Sequence, residues 1–186
     1  MVVQCHQEER SRSSVTPDRC ILRSVSNARV QLPLRGTHLV AVLASPPLST
    51  SGERTIARVN MAAACLGSAS ASISNLLKVA TDDVRQISVA GASQDPWIAS
   101  RQELETSIAA ADTLLFAWGC SEPTGAAREH HRAQVAWLMG TIRARGLSYW
   151  TVDDKPRHPS RWQRHTWRAH PGVPFQVALK ASLVEH

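Results

Sequence analysis

Thr113-Leu114-Leu115-Phe116-Ala117-Trp118-Gly119 is a short, continuous apolar stretch, typical of a strand that is buried on both faces of a sheet. Residues 123–145 follow with the periodicity of an amphipathic helix, whose apolar positions are Val135, Leu138, Met139 and Ile142. The predicted polar face of that helix carries Arg128, His131, Arg132 and Arg143. Gly146 is a natural C-cap, and residues 147–152 are the next predicted strand.

The same alternation continues towards the N-terminus. Residues 38–44 form a second buried strand, which runs into the loop Ser45-Pro46-Pro47. The other predicted elements are a helix at 55–66, a strand at 71–77, a loop at 91–98 and a helix at 101–111. Strands that alternate with helices in this way predict a three-layer α/β fold with a mostly parallel central sheet.

The length and composition are those of one domain. The chain has 186 residues, of which 43% are hydrophobic and 19% are charged, so a packed core is expected. We assign this domain to residues 31–186. Residues 1–30 are polar and rich in Ser and Arg, which predicts a loosely structured segment or, as the alternative, one edge strand around residues 20–25.

The sequence predicts a cytoplasmic monomer without a cofactor. No signal peptide is evident, and no apolar run approaches the roughly 18 residues needed to cross a membrane. The four cysteines are far apart and are read as free thiols: Cys5, Cys20, Cys65 and Cys120. No phosphate-binding or dinucleotide-binding glycine motif is present. Glu129-His130-His131 is a poor metal site, because adjacent helical residues point about 100° apart.

The positive charge is concentrated near the C-terminus. The net charge is +6, but residues 155–186 alone contribute +5, from six Lys and Arg side chains and one Glu. Trp162 and Trp167 lie among the arginines of segment 155–170. A cationic segment with aromatic side chains favours a polyanion such as nucleic acid, and a solubilising tail is the alternative.

Working groups of a parallel sheet are expected at the carboxyl ends of its strands. In this chain the segments that follow the predicted strands are Ser45-Pro46-Pro47, Asn75, Trp118-Gly119-Cys120 and Pro156-Arg157-His158-Pro159-Ser160. We therefore expect these four segments to meet along one edge.

Six short motifs resemble an uncharacterised bacterial domain family, number sixteen-forty-three among the domains of unknown function. The matching motifs lie in order between residues 37 and 165: Leu43-Ala44-Ser45-Pro46, Thr55-Ile56-Ala57-Arg58, Ser74-Asn75-Leu76 with Ala80-Thr81, Asp95-Pro96, Ala117-Trp118-Gly119 and Pro156-Arg157-His158-Pro159. Each motif is weak alone, and their shared order carries the resemblance.

The order of motifs is also similar, more remotely, to the uracil-DNA glycosylase superfamily. The resemblance implies that the loop after the first strand positions water, that Asn75 reads the base, and that His158-Pro159-Ser160 supplies a donor for the leaving base and a wedge into DNA. This chain has Ser45 where the superfamily often has Asp or Asn, so its water-activating group is in question. Asp95-Pro96 resembles part of a water-activating motif but follows Asn75 instead of preceding it.

These observations give a set of candidate site residues. The catalytic candidates are His158, Asp95 and Ser45, and the base-binding candidates are Asn75, Pro46 and Trp118. The DNA-binding candidates are Arg157, Ser160, Arg161, Trp162, Arg164 and Arg168. Cys120 with His158 is an alternative nucleophile and base pair. Each polar candidate also has a structural alternative, such as a satisfied loop amide, a turn former or a helix cap.

The resulting hypothesis is a DNA glycosylase that hydrolyses the N-glycosidic bond of a flipped-out base and leaves an abasic site. The departures from the superfamily favour a modified base, such as those in bacteriophage DNA, and a role in defence against phage would follow. The alternatives are a non-catalytic nucleic-acid-binding module and a hydrolase of free modified nucleosides or nucleotides, for which residues 161–186 would be dispensable.

Overall fold

The computed structural model describes residues 37–186, so the predictions for residues 1–30, including Cys5 and Cys20, fall outside the described residues. The sheet has five strands in the order β2-β1-β3-β4-β5. They are β1 (His38–Leu43), β2 (Ser70–Asn75), β3 (Thr113–Phe116), β4 (Tyr149–Val152) and β5 (Leu183–Glu185). The strands β1 to β4 are parallel, and β5 is antiparallel to β4, so the predicted mostly parallel sheet is confirmed.

Three helices were predicted, with ends that shift by up to three residues. They are α1 (Glu53–Cys65), α4 (Arg101–Ala110) and α5 (Ala126–Ala144). Four more helices lie in segments for which the sequence predicted no helix: α2 (Val84–Ala90), α3 (Asp95–Ile98), α6 (Pro159–Ala169) and α7 (Phe175–Ser182). The segment 91–98 is therefore not entirely loop, because the Asp95-Pro96 dipeptide begins a one-turn helix with proline in its first turn.

Helices pack on both faces of the sheet. Successive side chains of β1 point to opposite sides, so this strand contacts both helical layers. Val40 and Val42 pack against apolar residues of α2, α3, α4 and α5. Leu39, Ala41 and Leu43 pack on the other face against α1, α6 and α7. The fold is therefore α/β with a helical layer on each side of a mostly parallel sheet, as predicted.

The C-terminal segment is part of the fold and not a tail. Trp162 is fully buried in the core beneath α6, and its indole Nε1 donates a hydrogen bond of 2.6 Å to the carbonyl of Arg157. Leu179 of α7 is also fully buried, and β5 completes the sheet. Residues 161–186 are thus part of the folded domain, and the prediction that Trp162 stacks on a base is wrong, because its ring has no exposed surface.

His131 also differs from the prediction. The sequence placed it on the polar face of α5, but the side chain is 8% exposed and packs edge-on against Trp97, with ring centroids 5.8 Å apart. The unpredicted helix α3 carries Trp97 onto this part of α5 and buries His131. Within residues 37–186, no helix is both long and apolar enough to cross a membrane.

Candidate functional site

The four predicted segments lie along one edge of the sheet, because they follow the ends of four parallel strands. The strand order places Asn75 of β2 and the loop after β4 at opposite ends of this edge, with β1 and β3 between them. Three strand spacings separate β2 from β4, which is about 14 Å between backbones. Any ligand that touches both Asn75 and His158 must span the ends of β1 and β3.

A cavity of about 230 Å³ lies at the β2 end of the edge. Its lining residues are Pro46, Asn75, Leu77, Lys78, Ser100 and Glu103. The structure thus brings together two of the predicted base-binding residues, Pro46 and Asn75. Ser45, Asp95, Trp118 and His158 do not line this cavity, so the predicted candidates do not all share one hollow.

Asn75 is the polar centre of the cavity. Its side-chain oxygen Oδ1 is buried and has no hydrogen-bond partner within residues 37–186. A buried amide oxygen without a donor costs free energy, on the order of 1–3 kcal/mol, unless a ligand or water supplies the missing hydrogen bond. Rotation of the Asn75 amide would bring this oxygen to the cavity surface, where it could accept a hydrogen bond from a bound molecule.

A buried polar network holds the backbone next to Asn75. The Leu76 carbonyl accepts hydrogen bonds from Ser100 Oγ at 2.7 Å and from Gln134 Nε2 at 3.2 Å. Gln134 is fully buried, and its Oε1 accepts a hydrogen bond from Arg101 Nε at 2.9 Å. The network ties the end of β2 to α4 and α5. Sequence reasoning missed Gln134, although its spacing from Leu138 and Ile142 places it on the apolar face of α5.

The loop after β1 is anchored to the loop after β2. Ser45 Oγ and Thr81 Oγ1 lie 2.6 Å apart, and the Thr81 N–H donates to the Pro46 carbonyl at 2.9 Å. The Asp82 carboxylate accepts hydrogen bonds from the N–H groups of Leu48 and Ser49, which lower its pKa. The Ser45 hydroxyl is thus engaged in fixing the loop that carries Pro46 to the cavity.

Asp95 is exposed at the first position of α3. The contact with the cavity region is made by the next residue, Pro96, whose carbonyl accepts a hydrogen bond of 3.1 Å from Lys78 N. Lys78 and Glu103 form an ion pair of 2.7 Å, and both line the cavity. Sequence reasoning named neither residue, since an exposed Lys and an acidic residue in a first helical turn are ordinary surface features.

At the other end of the edge, His158 caps α6. Its ring nitrogen Nδ1 accepts a hydrogen bond from the Ser160 N–H at 3.2 Å, and the Ser160 hydroxyl lies 2.9 Å from the same atom. Burial lowers the pKa of His158, and the positive charges of Arg161 and Arg58 lower it further. The neutral ring therefore carries its proton on Nε2, because Nδ1 is already an acceptor. Nε2 has no partner within residues 37–186.

The loop after β3 lies against His158. Gly119 has a φ of 103°, its N–H donates to the Pro156 carbonyl at 2.5 Å, and a Cβ there would lie 3.9 Å from Cβ of His158. A side chain at position 119 would be strained at this φ. Trp118 packs on Phe116 with ring centroids 4.6 Å apart, so it belongs to the aromatic packing beneath the edge and not to the cavity wall.

The exposed face of α6 forms a cationic surface that we call the α6 ridge, made of Arg161, Arg164, Arg168 and Trp167. The arginines recur at helical spacing, all are exposed, and none has an ion-pair partner in the part of the chain that the structure describes. Trp167 is 60% exposed on the same face. Ser160 begins this face and is exposed.

Arg157 does not belong to the ridge. Its Nη2 bonds to Asp153 Oδ2 at 3.0 Å, and only 22% of its side chain is exposed. The same ion pair lowers the pKa of Asp153. This ion pair makes Arg157 less available as a phosphate contact than the exposed arginines of the ridge, and it braces the loop that leads to His158.

No group of three or more His, Cys, Asp or Glu side chains within residues 37–186 is placed to hold a metal ion. Neither a family model, nor a curated protein, nor a solved structure matches the chain. The geometry of this edge is thus the basis for any assignment of function.

Proposed function

We propose that the protein is a DNA glycosylase, which hydrolyses the N-glycosidic bond of a modified base that has been flipped out of a duplex. The observation that carries the proposal is the state of His158. A neutral imidazole whose Nδ1 caps a helix has one free donor, Nε2–H, and that donor lies at the edge where a ligand would bind.

The reaction needs a donor of this kind. When the bond between C1′ and the base nitrogen breaks, its electron pair leaves with the base, and the sugar gains oxocarbenium character. A pre-positioned N–H that stabilises the developing anion is worth about 2.7–4 kcal/mol of the barrier. Water attacks C1′, loses one proton and completes an abasic site, while the base leaves as an anion that is protonated later.

The cavity suits the recognition of the base. Asn75 offers an unpartnered carbonyl oxygen and an amide N–H₂ in a hollow whose other walls include Pro46 and Leu77. Because β2 and β4 are about 14 Å apart between their backbones, a base bound between Asn75 and His158 would be reached by their side chains from opposite sides. Pro46 and Leu77 form apolar walls of the cavity, and Asn75 provides a hydrogen-bonding group.

The α6 ridge supports a polyanionic substrate. Unpaired, exposed arginines on one helical face neutralise phosphates, and an exposed Trp beside them stacks on a base. The ridge begins at Arg161, three residues after His158, so the phosphate backbone would run past the leaving-group donor. A hydrolase of free nucleosides has no use for this surface.

The test is incubation of the protein with a panel of duplexes, each of which carries one modified pyrimidine or purine, including bases typical of bacteriophage DNA. Released base is measured by mass spectrometry and alkali-labile sites are measured on gels. We expect release from at least one duplex, and loss of about 100-fold or more in the Asn75→Ala variant. Asn60→Ala is the matched control, because Asn60 is exposed on α1. Failure of every duplex to release base overturns the proposal.

A non-catalytic nucleic-acid-binding module is the second candidate, and the α6 ridge is the observation that favours it. Such a module binds DNA in a salt-dependent way but is indifferent to Asn75→Ala. Release of base from free nucleosides, with no effect of ridge substitutions, would instead indicate the third hypothesis, a nucleoside hydrolase.

A further inference from the structure

The cavity contains a carboxylate that the sequence did not single out. Of its lining residues within 37–186, Glu103 is the one with a carboxylate. It lies in the first turn of α4, three residues after Ser100, which contacts the backbone beside Asn75. An acidic residue in a first turn is favourable for any helix. The cavity that it shares with Asn75 is what indicates a further role.

The Glu103 carboxylate is held by one of its two oxygens. Lys78 Nζ donates to Oε2 at 2.7 Å, and Oε1 has no partner in the described part of the chain. The backbone of Lys78 is held by the hydrogen bond from its N–H to the Pro96 carbonyl. The arrangement orients the carboxylate and leaves one oxygen available to accept a proton.

The sequence suggested Asp95 and Ser45 as the groups that activate water, and both are less well placed for that role than Glu103. Asp95 is exposed on α3 and does not line the cavity. The Ser45 hydroxyl is bonded to Thr81, and a hydroxyl is a weak base without a partner that takes its proton.

We propose that Glu103 is the general base that activates water in the reaction proposed above, on which this inference rests. Glu103 Oε1 accepts one proton from water as the water oxygen forms its bond to C1′. The bond from C1′ to the base breaks, and its electron pair leaves on the base, which His158 Nε2–H stabilises. The products are the C1′ hydroxyl of the abasic site and the base, which recovers the proton from the protonated carboxyl through solvent.

The experiment compares Glu103→Gln, Lys78→Met and Glu105→Gln with the wild type, on a duplex from which the wild type releases base. Single-turnover release rates and duplex affinity are both measured. General base catalysis is worth about 10²–10⁴ in rate. We expect Glu103→Gln to lose a factor in that range while its affinity stays within threefold. Glu105 is the matched control, because it is an exposed Glu on the same helix and does not line the cavity.

The pH profile separates a base from a structural ion pair. The wild-type rate should fall towards acid pH as the base becomes protonated, and Glu103→Gln should lose this limb. Lys78→Met breaks the same ion pair but keeps the carboxylate, so it should keep the limb. Equal losses in Lys78→Met and Glu103→Gln, or full activity in Glu103→Gln, overturn the inference and leave the proposed function standing. If the wild type releases no base from any duplex, both the role of Glu103 and the proposed glycosylase function are wrong.

Discussion

The two ends of the sheet edge differ in charge. The cavity at the β2 end has an uncharged amide at its centre, and its one cation, Lys78, is neutralised by Glu103. The α6 ridge at the β4 end carries three arginines without ion-pair partners within residues 37–186 and an exposed Trp. A neutral hollow selects a ligand by shape and hydrogen bonds, whereas a free cationic surface attracts anions of any sequence. In the proposed function, the first end would select the base and the second would bind the phosphate backbone.

The largest expected effect concerns the two tryptophans of α6, which stand on opposite faces of that helix. Trp162→Ala should lower the free energy of unfolding by about 3–5 kcal/mol, since it empties a core site beneath the ridge. Trp167→Ala should change it by less than about 0.5 kcal/mol, because the side chain is exposed. Urea denaturation followed by circular dichroism measures both.

The same pair of variants also tests the ridge as a stacking surface. Trp167→Ala should weaken binding of single-stranded DNA by about 1–3 kcal/mol, which is the usual contribution of one stacked base. Equal DNA affinity in Trp167→Ala and the wild type would remove Trp167 from the ridge and leave a purely electrostatic surface.

His158→Asn is the next prediction, and it separates the two roles of this side chain. Asn is a good N-cap, so its oxygen can accept the Ser160 N–H and keep α6 in place. It lacks a donor at the position of Nε2, so base release should fall by about 10²–10³ while stability changes little. His158→Ala should lose the same activity and a further ~1 kcal/mol of stability from the lost cap. Full activity in His158→Asn would contradict the role of His158 as donor.

The sequence predicted which segments meet at the edge of the sheet, but not where each of them lies along that edge. Alternating apolar runs and helical spacing were enough to predict β1 to β4, and the carboxyl-end rule then placed Ser45, Asn75, Trp118 and His158 on one edge. Strand order is a tertiary property, so the sequence did not indicate that Asn75 and His158 stand at opposite ends. Nor did it reveal Lys78 and Glu103, which become cavity residues because α4 packs beside the end of β2.

The charge of the C-terminal segment did not indicate that this segment contains a helix packed on the core. Five cations among residues 155–168 favoured a polyanion-binding segment, with a solubilising tail as the alternative, but Trp162 and Thr166 lie four residues apart, and both are buried on one face of α6. The same periodicity, applied to the arginines, would have separated the free Arg161, Arg164 and Arg168 from the buried face. Arg157 escaped this reasoning because its partner, Asp153, lies in a loop with positive φ.

The ridge itself can be tested by salt dependence. Each phosphate contact adds about 0.9 to the slope of log affinity against log salt concentration. Arg164→Gln should therefore reduce the slope for duplex DNA by about 0.9, and the triple variant of Arg161, Arg164 and Arg168 by about 2.7. Arg145→Gln is the control, because Arg145 is exposed at the end of α5, which leads into the opposite edge of the sheet. If the triple variant has the same salt slope as the wild type, the DNA-binding surface does not lie on α6.

The smallest expected effect is the dependence of stability on pH, which arises from two histidines: the buried His131 on α5 and the partly buried His158 at the start of α6. Burial lowers the pKa of His131 and of His158, so at mildly acid pH the unfolded chain binds more protons than the folded chain. The stability is fully present above the ordinary histidine pKa of about 6.5 and is lost as pH falls below it, by no more than about 1.4 kcal/mol per pH unit for each group. The Glu122 carboxylate opposes the lowering of the His131 pKa, and the Arg132 charge adds to it.

His131→Leu should flatten the fall in melting temperature between pH 7 and pH 5, which differential scanning calorimetry measures. His130→Leu on the same helix should keep the wild-type pH dependence. If His131→Leu leaves the fall unchanged, the pH dependence lies at the His158 end of the edge, and His158→Asn should then remove it.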